Sequence, residues 1–441
     1  MKLLNEYRGL RKENYILFVG RIVTSFGSMI YPMLTMILSQ KLHMTAGMIA
    51  AVMVIYSMTG IPMNLIGGRL ADRCSKKNVI VLCSCVSVIC YLFCALLPLS
   101  FFPMAVFALG ALISQMENPT YSALIADVTP AKDRSRAYSL SYLGMNLGMV
   151  LAPTIGGLLF QDYLWLMFLI GGLTTAASTA LIYFSFDPSA AIHETASVYE
   201  SADEHASVHS ILSQHRIILL FFAIMALDQA VYNQYGYLMP LDLGAVHGNE
   251  GAVIYGTLSS LNCIIVVFFT PLITHLFASF NDVQKLLIGD LLMVGSYFLF
   301  QLLLGVIPSY YAAMAMFTWG EIFRTISSDP YLTKRIPQSH RGRLLSINAV
   351  AGAFAYGLAS IAVGQIYDLY GSHSAWMLVM MLGCVTVILE LWLCRADRGA
   401  YGLFLVPVRR LRASKDVTLV EYKLSLAYLF SQVHQIPPKS F

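Results

Sequence analysis

Two carboxylates lie inside long apolar stretches of the chain, where a charged group is costly. Asp228 follows an apolar run over 217–227, and Glu321 follows one over 310–320. Ionisable side chains at membrane depth usually face the interior of a helix bundle or a water-filled cavity, where they serve function. Burial favours the protonated form of a carboxyl group, so such a residue can load and release a proton. These two residues are therefore the first candidates for chemistry.

The neighbours of the two carboxylates indicate different surroundings. Tyr232 and Tyr235 follow Asp228 at i+4 and i+7, so a continuous helix would place both phenols on the Asp228 face. This face suits a cavity for cationic or aromatic compounds, a proton site, or a structural hydrogen bond between helices. Arg324 follows Glu321 at i+3, and this pair either neutralises itself or forms a switch that a proton or cation opens. With no base near it along its helix, Asp228 is the better candidate for the coupling proton.

Two further charges lie in apolar runs nearer the N-terminus. Arg21 lies close to one end of the first run, where it either snorkels to the membrane surface or lines an inner cavity. In the second case, Glu117 is its expected partner. Glu117 precedes Asn118-Pro119, where the proline predicts a helix break that frees backbone groups.

The elements that carry these residues are predicted to be membrane-spanning helices. Of the 441 residues, 57% are hydrophobic and only 12% are charged, which is too little charge for a soluble surface. A span needs roughly 20 apolar residues, and lipid requires the backbone to satisfy its own hydrogen bonds. Twelve such runs are present, near 15–39, 45–67, 78–98, 101–126, 138–160, 163–186, 216–242, 251–276, 285–307, 309–332, 343–369 and 374–394. The fold class is therefore all-α and integral to the membrane.

Basic residues fall almost entirely on one side of these predicted spans. Of the 28 lysines and arginines, only Lys41 lies in a loop on the side opposite the termini, and Arg21 and Arg324 lie within spans. The positive-inside rule therefore places both termini in the cytoplasm, with the protein in the plasma membrane. The first apolar run is too long for a signal peptide, so it is expected to remain as helix 1.

An internal repeat divides the chain into two halves. The stretches 130–140 and 337–347 share a proline, two arginines and a serine at equal spacing, and Pro32 and Pro240 give nearly the same offset. This pattern predicts a duplicated six-helix unit with substrate held between the halves. The predicted parts are a bundle over 1–186, a cytoplasmic linker over 187–215, a second bundle over 216–394 and a basic cytoplasmic tail over 395–441.

The loop between spans 2 and 3 reads Gly67-Gly68-Arg69-Leu70-Ala71-Asp72-Arg73-Cys74-Ser75-Lys76-Lys77. It resembles the signature of the major facilitator superfamily, with Ser75 where that family usually has glycine. The resemblance implies two pseudo-symmetric six-helix bundles that work by alternating access. It also implies a conformational latch, whose residues are Gly68, Asp72, Arg73, Lys76, Lys77 and Asp127. Gly68 would allow a close helix contact, Asp72 would cap helix 11, and Arg73 would pair with Asp127.

Two segments resemble those of proton-coupled multidrug exporters within that superfamily. Span 10 carries Gly320-Glu321-Ile322, which is similar to a segment of those exporters that has a membrane-embedded glutamate. Those exporters also have a carboxylate in span 7, where this chain has Asp228. Because helices 9 and 12 lie outside the cavity in this family, Asp290 is expected to be structural. Span 5 carries an exporter-like motif or a plain glycine-rich packing face, with the residues Gly148, Pro153, Gly156 and Gly157.

These observations predict a twelve-helix secondary transporter that binds protons and a small molecule and exports amphipathic drugs by antiport. The alternatives are a proton-coupled metabolite importer of the same fold and a non-transporting membrane sensor. The sequence contains no nucleotide-binding loop, no Ser/His/Asp set and no metal cluster at recognisable spacing. We therefore expect neither enzyme activity nor a cofactor or metal. Besides the lipid bilayer, no macromolecular partner is expected: the protein is predicted to be a monomer that binds no nucleic acid.

Overall fold

The computed structural model describes residues 7–130, 133–186, 216–335 and 341–401. These residues form helices and turns without a strand. The helices are α1 Lys12–Gly27, α2 Ile30–Met36 with a π-helical turn Ile37–Lys41, α3 Ala46–Arg73, α4 Lys76–Leu96, α5 Phe101–Gln115, α6 Glu117–Val128, α7 Arg134–Met149, α8 Ala152–Leu159, α9 Leu164–Ser185, α10 Arg216–Tyr232, α11 Gln234–His247, α12 Glu250–Leu276, α13 Asp282–Leu302, α14 Ile307–Thr325, α15 Ser328–Thr333 and α16 Arg341–Tyr401. The predicted linker over 187–215 and the tail beyond 401 lie outside the described residues.

The helices have the length and surface of a membrane protein. Among the described residues, nine segments are long and apolar enough to cross a membrane. The longest, Leu344–Asp397, has 54 residues, about twice what one crossing needs. It is interrupted at Gly371, whose φ of 82° is not helical. Residues up to Ala396 form one compact unit. Many large apolar side chains on its helices are exposed, which suits contact with lipid.

Two of the twelve predicted spans are not among these nine segments. The predicted span over 101–126 is divided at Met116 into α5 and α6. The predicted span over 309–332 is divided between α14 and the short α15. The break at Met116 agrees with the expectation from Pro119, which lies in the first turn of α6, where a missing N–H removes no helical bond.

Proline also explains a contact between α2 and α11. Pro240 lies inside α11 and has no N–H to donate to the carbonyl of Gly236. The Thr35 hydroxyl of α2 donates to that carbonyl at 2.9 Å. One residue further on, Tyr237 donates its hydroxyl to the Ala46 carbonyl of α3 at 2.6 Å. A backbone group freed by proline is thus satisfied by a helix from the other part of the chain.

The described contacts between the helices before and after the linker gather at one end of the bundle. We call the side on which α1, α4 and α13 begin the proximal side and the opposite one the distal side. At the distal start of α3, the backbone N–H groups of Ala46 and Gly47 donate to Asp368 of α16 at 2.9 and 2.8 Å. Further along α3, Val54 packs against Gly357. The helices therefore meet distally.

Candidate functional site

Asp228 and Arg324 form an ion pair between α10 and α14. Asp228 is 1% exposed, and the guanidinium of Arg324 donates to its carboxylate and to the side-chain oxygen of Gln229. The expectation that Arg324 neutralises Glu321 is therefore wrong for this structure. Although Glu321 and Arg324 share a helix face, the long arginine side chain reaches across to the more deeply buried carboxylate.

Glu321 is held by neutral hydrogen-bond donors. Tyr232 donates its hydroxyl to Glu321 Oε1 at 2.8 Å, and the Asn262 amide donates to Oε2 at 2.7 Å. Asn262 also donates to Thr318 at 3.0 Å. In the part of the chain that the structure describes, no lysine, arginine or histidine forms an ion pair with Glu321. Its charge is therefore available to a cation or a proton.

The two tyrosines of span 7 do not support Asp228 as expected. The helix breaks at Asn233 between α10 and α11, so the i+7 relation of a continuous helix does not hold. Tyr232 binds Glu321, and Tyr235 donates to Ser259 at 3.0 Å. Both rings instead stack on Phe317, with centroid distances of 5.6 and 5.0 Å. The result is an aromatic wall beside Glu321.

Arg324 connects the two carboxylates. Its guanidinium lies 4.7 Å from the centroid of the Tyr232 ring, and the hydroxyl of that same ring donates to Glu321. Across from this group, Tyr142 of α7 keeps 46% of its surface exposed and lies within electrostatic range of Glu321. Glu321, itself partly exposed, therefore lies near a side chain of α7 that retains accessible surface.

Arg21 and Glu117 are not brought into an ion pair. The Arg21 guanidinium lies 4.2 Å from the centroid of the Tyr121 ring, and Glu117 accepts a hydrogen bond from Ser84 at 3.0 Å. In residue number, Arg21 and Glu117 precede Asp228 and Arg324 by the same offset as the internal repeat. The charges at the equivalent positions are exchanged. Asp228 and Arg324 form an ion pair, whereas Arg21 and Glu117 do not.

The predicted latch residues adopt a different arrangement from the one expected. Lys76, not Arg73, pairs with Asp127, at 2.8 Å, because Lys76 opens α4 next to the end of α6 while Arg73 is exposed. Lys77 donates to the Phe186 carbonyl at 2.8 Å. Asp72 is also exposed. Residues 336–340, just before α16, lie outside the described residues, so capping of that helix by Asp72 stays a prediction.

Gly67, rather than Gly68, makes the close helix contact at this loop. A side chain at Gly67 would collide with the Met116 backbone at the break between α5 and α6, whereas nothing lies within 4 Å of the corresponding position at Gly68. The expectation of close packing at Gly68 is therefore wrong for this conformation. Gly67 points at α6, and Gly68 points at open space.

The glycines of span 5 face two different helices. A side chain at Gly148 would collide with α1 at the Ile22 carbonyl, and Gly156 lies against the Met29 carbonyl. Gly157 lies against Ala252 of α12. Pro153 lies at the start of α8, after the helix breaks at 150–151. Span 5 thus packs on both α1 and α12.

Two buried carboxylates beside Asp228 were not expected to take part in a site. Asp290 of α13 and Glu390 of α16 are 4% and 0% exposed, and both lie within electrostatic range of Asp228. Asp290 had been interpreted as structural from the usual position of helix 9. Glu390 was missed, although it also interrupts an apolar run and the criterion that found Asp228 would have found it.

A third buried carboxylate, Asp242, has a structural environment. Its oxygens accept hydrogen bonds from Tyr367 at 3.1 Å, Ser372 at 2.7 Å and Trp376 at 2.5 Å. Three donors compensate for the water that an ionised carboxylate loses on burial. Asp242 therefore joins α11 to α16 near the distal side.

The helical architecture and the buried charges at helix interfaces are those of an integral membrane protein with ionisable groups in its interior, and comparison with known proteins identifies its family. The sequence matches the Major Facilitator Superfamily over residues 16–326. The chain belongs to this superfamily, and it is accordingly a transporter rather than an enzyme.

Relatives and solved structures agree with this assignment. A Na(+), Li(+), K(+)/H(+) antiporter of Planococcus maritimus is 25% identical over 80% of this chain and 92% of its own length. An uncharacterized MFS-type transporter, YqjV of Bacillus subtilis, is 22% identical over 87% and 93%.

Two solved structures share the fold. A POT family transporter in complex with 5-aminolevulinic acid superposes with a TM-score of 0.75 at 14% identity, covering 89% of this chain and 97% of that one. The nucleoside transporter NupG superposes with a TM-score of 0.69 at 14% identity, covering 87% and 100%.

Proposed function

We propose that the protein is a secondary active antiporter that takes up protons and exports an amphipathic organic cation by alternating access. The observation that carries this proposal is the environment of Glu321. Its carboxylate is held by the neutral donors Tyr232 and Asn262 and borders an aromatic wall that includes Phe317. A carboxylate beside aromatic faces attracts organic cations through charge and cation–π interaction.

The neighbouring ion pair supports coupling of this site to protons. Asp228 and Arg324 compensate each other, and Arg324 lies one helical turn from Glu321. A proton on Asp228 would release the guanidinium, which could then compete with the organic cation for Glu321. Binding of the two ligands would become mutually exclusive, which is the requirement for antiport.

The proposal includes twelve spans in two pseudo-symmetric six-helix bundles, with both termini in the cytoplasm. Gly371 supports two crossings within α16. The repeat is supported by ion pairs at nearly equivalent positions with exchanged charges: Lys76 pairs with Asp127 at 2.8 Å, and Asp282 pairs with Lys334 at 2.6 Å. The distribution of basic residues supports a cytoplasmic proximal side.

A second candidate is the exchange of a monovalent metal cation for protons. The relative from Planococcus maritimus is named as such an antiporter, and Glu321 would be the first cation ligand here as well. The aromatic rings beside Glu321 favour the organic cation, since metal cations prefer an oxygen cage.

Transport by the purified protein in liposomes tests both candidates. With an imposed pH gradient, we expect ethidium to move against the protons, and a lumenal pH dye reports proton flux when Na⁺, Li⁺ or K⁺ is added instead. Glu321→Gln should abolish the exchange, and Asp162→Asn, at an exposed site, should leave it intact.

Proton flux with the metal ions alone would favour the second candidate. Movement of a probe in the direction of the protons would indicate an importer, and no flux with any probe would overturn antiport.

A further inference from the structure

Three carboxylates from three helices meet in the most deeply buried part of the second half. Asp228, Asp290 and Glu390 lie on α10, α13 and α16 and are 1%, 4% and 0% exposed. Asp228 and Asp290 line the same small space, and Glu390 lies within electrostatic range of both. We call these three residues the carboxylate cluster.

Several atoms of the carboxylate cluster lack hydrogen-bond donors. Asp228 Oδ1, Asp290 Oδ1 and both carboxylate oxygens of Glu390 are buried without a partner. Arg324 is the cation that faces the cluster among the described residues, and it donates to Asp228 and Gln229. Three ionised carboxylates against one guanidinium would leave two uncompensated charges. Buried charges of that kind are too costly to persist without a bound ligand or proton.

The space around the carboxylate cluster decides what kind of ligand compensates it. The small space beside Asp228 and Asp290 is lined mainly by apolar atoms of α10, α13 and α16 and leaves no room for a water molecule. No group of three acidic, histidine or cysteine side chains in the described residues has an arrangement that could hold a metal ion. A proton is the ligand that fits, because it binds a carboxylate oxygen without needing a cavity.

The proximity of Asp228 and Asp290 also requires a proton. Two ionised carboxylates that line the same dry space repel each other, so only one of the two is ionised. Asp228 is the ionised member because it pairs with Arg324. Asp290 therefore carries a proton, and so does Glu390, which has no donor for either oxygen.

The other groups that face the cluster do not replace these protons. Tyr297 of α13 donates its hydroxyl to the carbonyls of Val231 and Tyr232, at 3.0 and 3.2 Å. The Tyr232 hydroxyl is directed to Glu321. Cys394 of α16 lies within electrostatic range of Glu390, and a thiol there supplies no positive charge.

We propose that the carboxylate cluster is the proton-binding site of the transporter and is separate from Glu321, which binds the exported cation. At rest, Asp290 and Glu390 each hold one proton and Asp228 is ionised against Arg324. A further proton that binds Asp228 releases Arg324 toward Glu321. This assignment of roles rests on the proposed antiport, but the resting protonation of the cluster is independent of any transport.

Infrared spectroscopy of the purified full-length protein tests the resting protonation directly. Protonated carboxyl groups have a C=O band separate from that of carboxylates, and buried ones shift only slowly after transfer to D₂O. We expect this slow band in the wild-type protein at neutral pH. Asp290→Asn and Glu390→Gln should each remove part of it, and the double variant should remove the slow band. Both amides imitate the protonated acid, so the variants are expected to fold.

Asp242→Asn is the matched control, because Asp242 is equally buried but accepts three hydrogen bonds. It should leave the slow band unchanged. Absence of the band in the wild type, or an unchanged band in the double variant, would overturn the proposal. In liposomes, the double variant should keep ethidium binding and the proton flux that is coupled to ethidium, because the transported proton binds Asp228, whereas Glu321→Gln should lose ethidium binding. A wild-type protein that has the band but moves no proton would contradict the antiport alone.

Discussion

Arg324 has two carboxylates within reach, and burial decides between them. Asp228 is almost fully buried, so in its ionised form it gains most from a guanidinium. Glu321 is partly exposed, and two neutral donors bind its carboxylate. The ion pair is therefore made where desolvation is greatest, and the partly exposed carboxylate is left for a ligand.

The Asp228–Arg324 pair leads to a prediction about stability. Asp228→Asn removes the buried partner of Arg324, and we expect a loss of up to about 3–5 kcal/mol in the free energy of unfolding, reduced to the extent that the guanidinium pairs with Glu321 instead. The double variant Asp228→Asn/Arg324→Gln should recover most of that loss. Denaturant titration in detergent measures both, with Asp162→Asn as the surface control. Equal losses of free energy of unfolding in the single and double variants would contradict a stabilising ion pair between Asp228 and Arg324.

The sequence located the charged residues of the site but not their partners. Asp228 and Glu321 were found because each interrupts an apolar run, and that signal is independent of the fold. The spacing of Glu321 and Arg324 could not reveal that Arg324 pairs with a residue of another helix. Spacing along one helix does not show which helices pack against it. The tyrosine pattern after Asp228 failed because Tyr232 binds Glu321 of another helix and because the helix breaks at Asn233, before Tyr235.

At the scale of helices, breaks place polar groups where the two parts of the chain meet. The prolines of α2 and α11 and the break at Met116 were readable from the sequence. The contact that uses the freed Gly236 carbonyl was not, because Thr35 is remote in sequence. Likewise, nothing local marks Asp368 as the acceptor at the start of α3. Such pairings depend on how the helices pack.

The Asp368 contact predicts a shift between conformations. Loss of an acceptor at a helix N-terminus costs about 1 kcal/mol, so Asp368→Ala should favour opening of the distal side by roughly fivefold. In a cysteine-free background, Val54→Cys reports this opening, since Val54 packs against α16. Its reaction with a thiol reagent should accelerate. The same substitution at the exposed Asp162 should have no effect, and an unchanged rate in Asp368→Ala would refute the role of the contact.

For the whole molecule, the described contacts fit one of the two states that the proposed alternating access requires. The distal ends are joined through Ala46, Gly47 and Asp368, while Gly68, Asp72 and Arg73 of the proximal loop have open space or solvent around them. The two halves also differ in their buried charges: Arg21 and Glu117 do not pair with each other, whereas Asp228 and Arg324 form an ion pair. Closing the proximal side must therefore create contacts that are absent here.

Substitutions at the adjacent residues Gly67 and Gly68 test folding and conformational exchange separately. Gly67→Val should destabilise the protein in any state, because its side chain would collide with the Met116 backbone. Gly68→Val meets nothing within 4 Å here, so its stability and ethidium binding should match those of the wild type. If Gly68 contacts a neighbouring helix only when the proximal side closes, the added methyl groups raise the free energy of that state alone. Transport in liposomes should then fall at least tenfold while binding persists. Wild-type transport by Gly68→Val would mean that the loop does not close in this way, and simultaneous loss of folding would mean that the open space at Gly68 is filled.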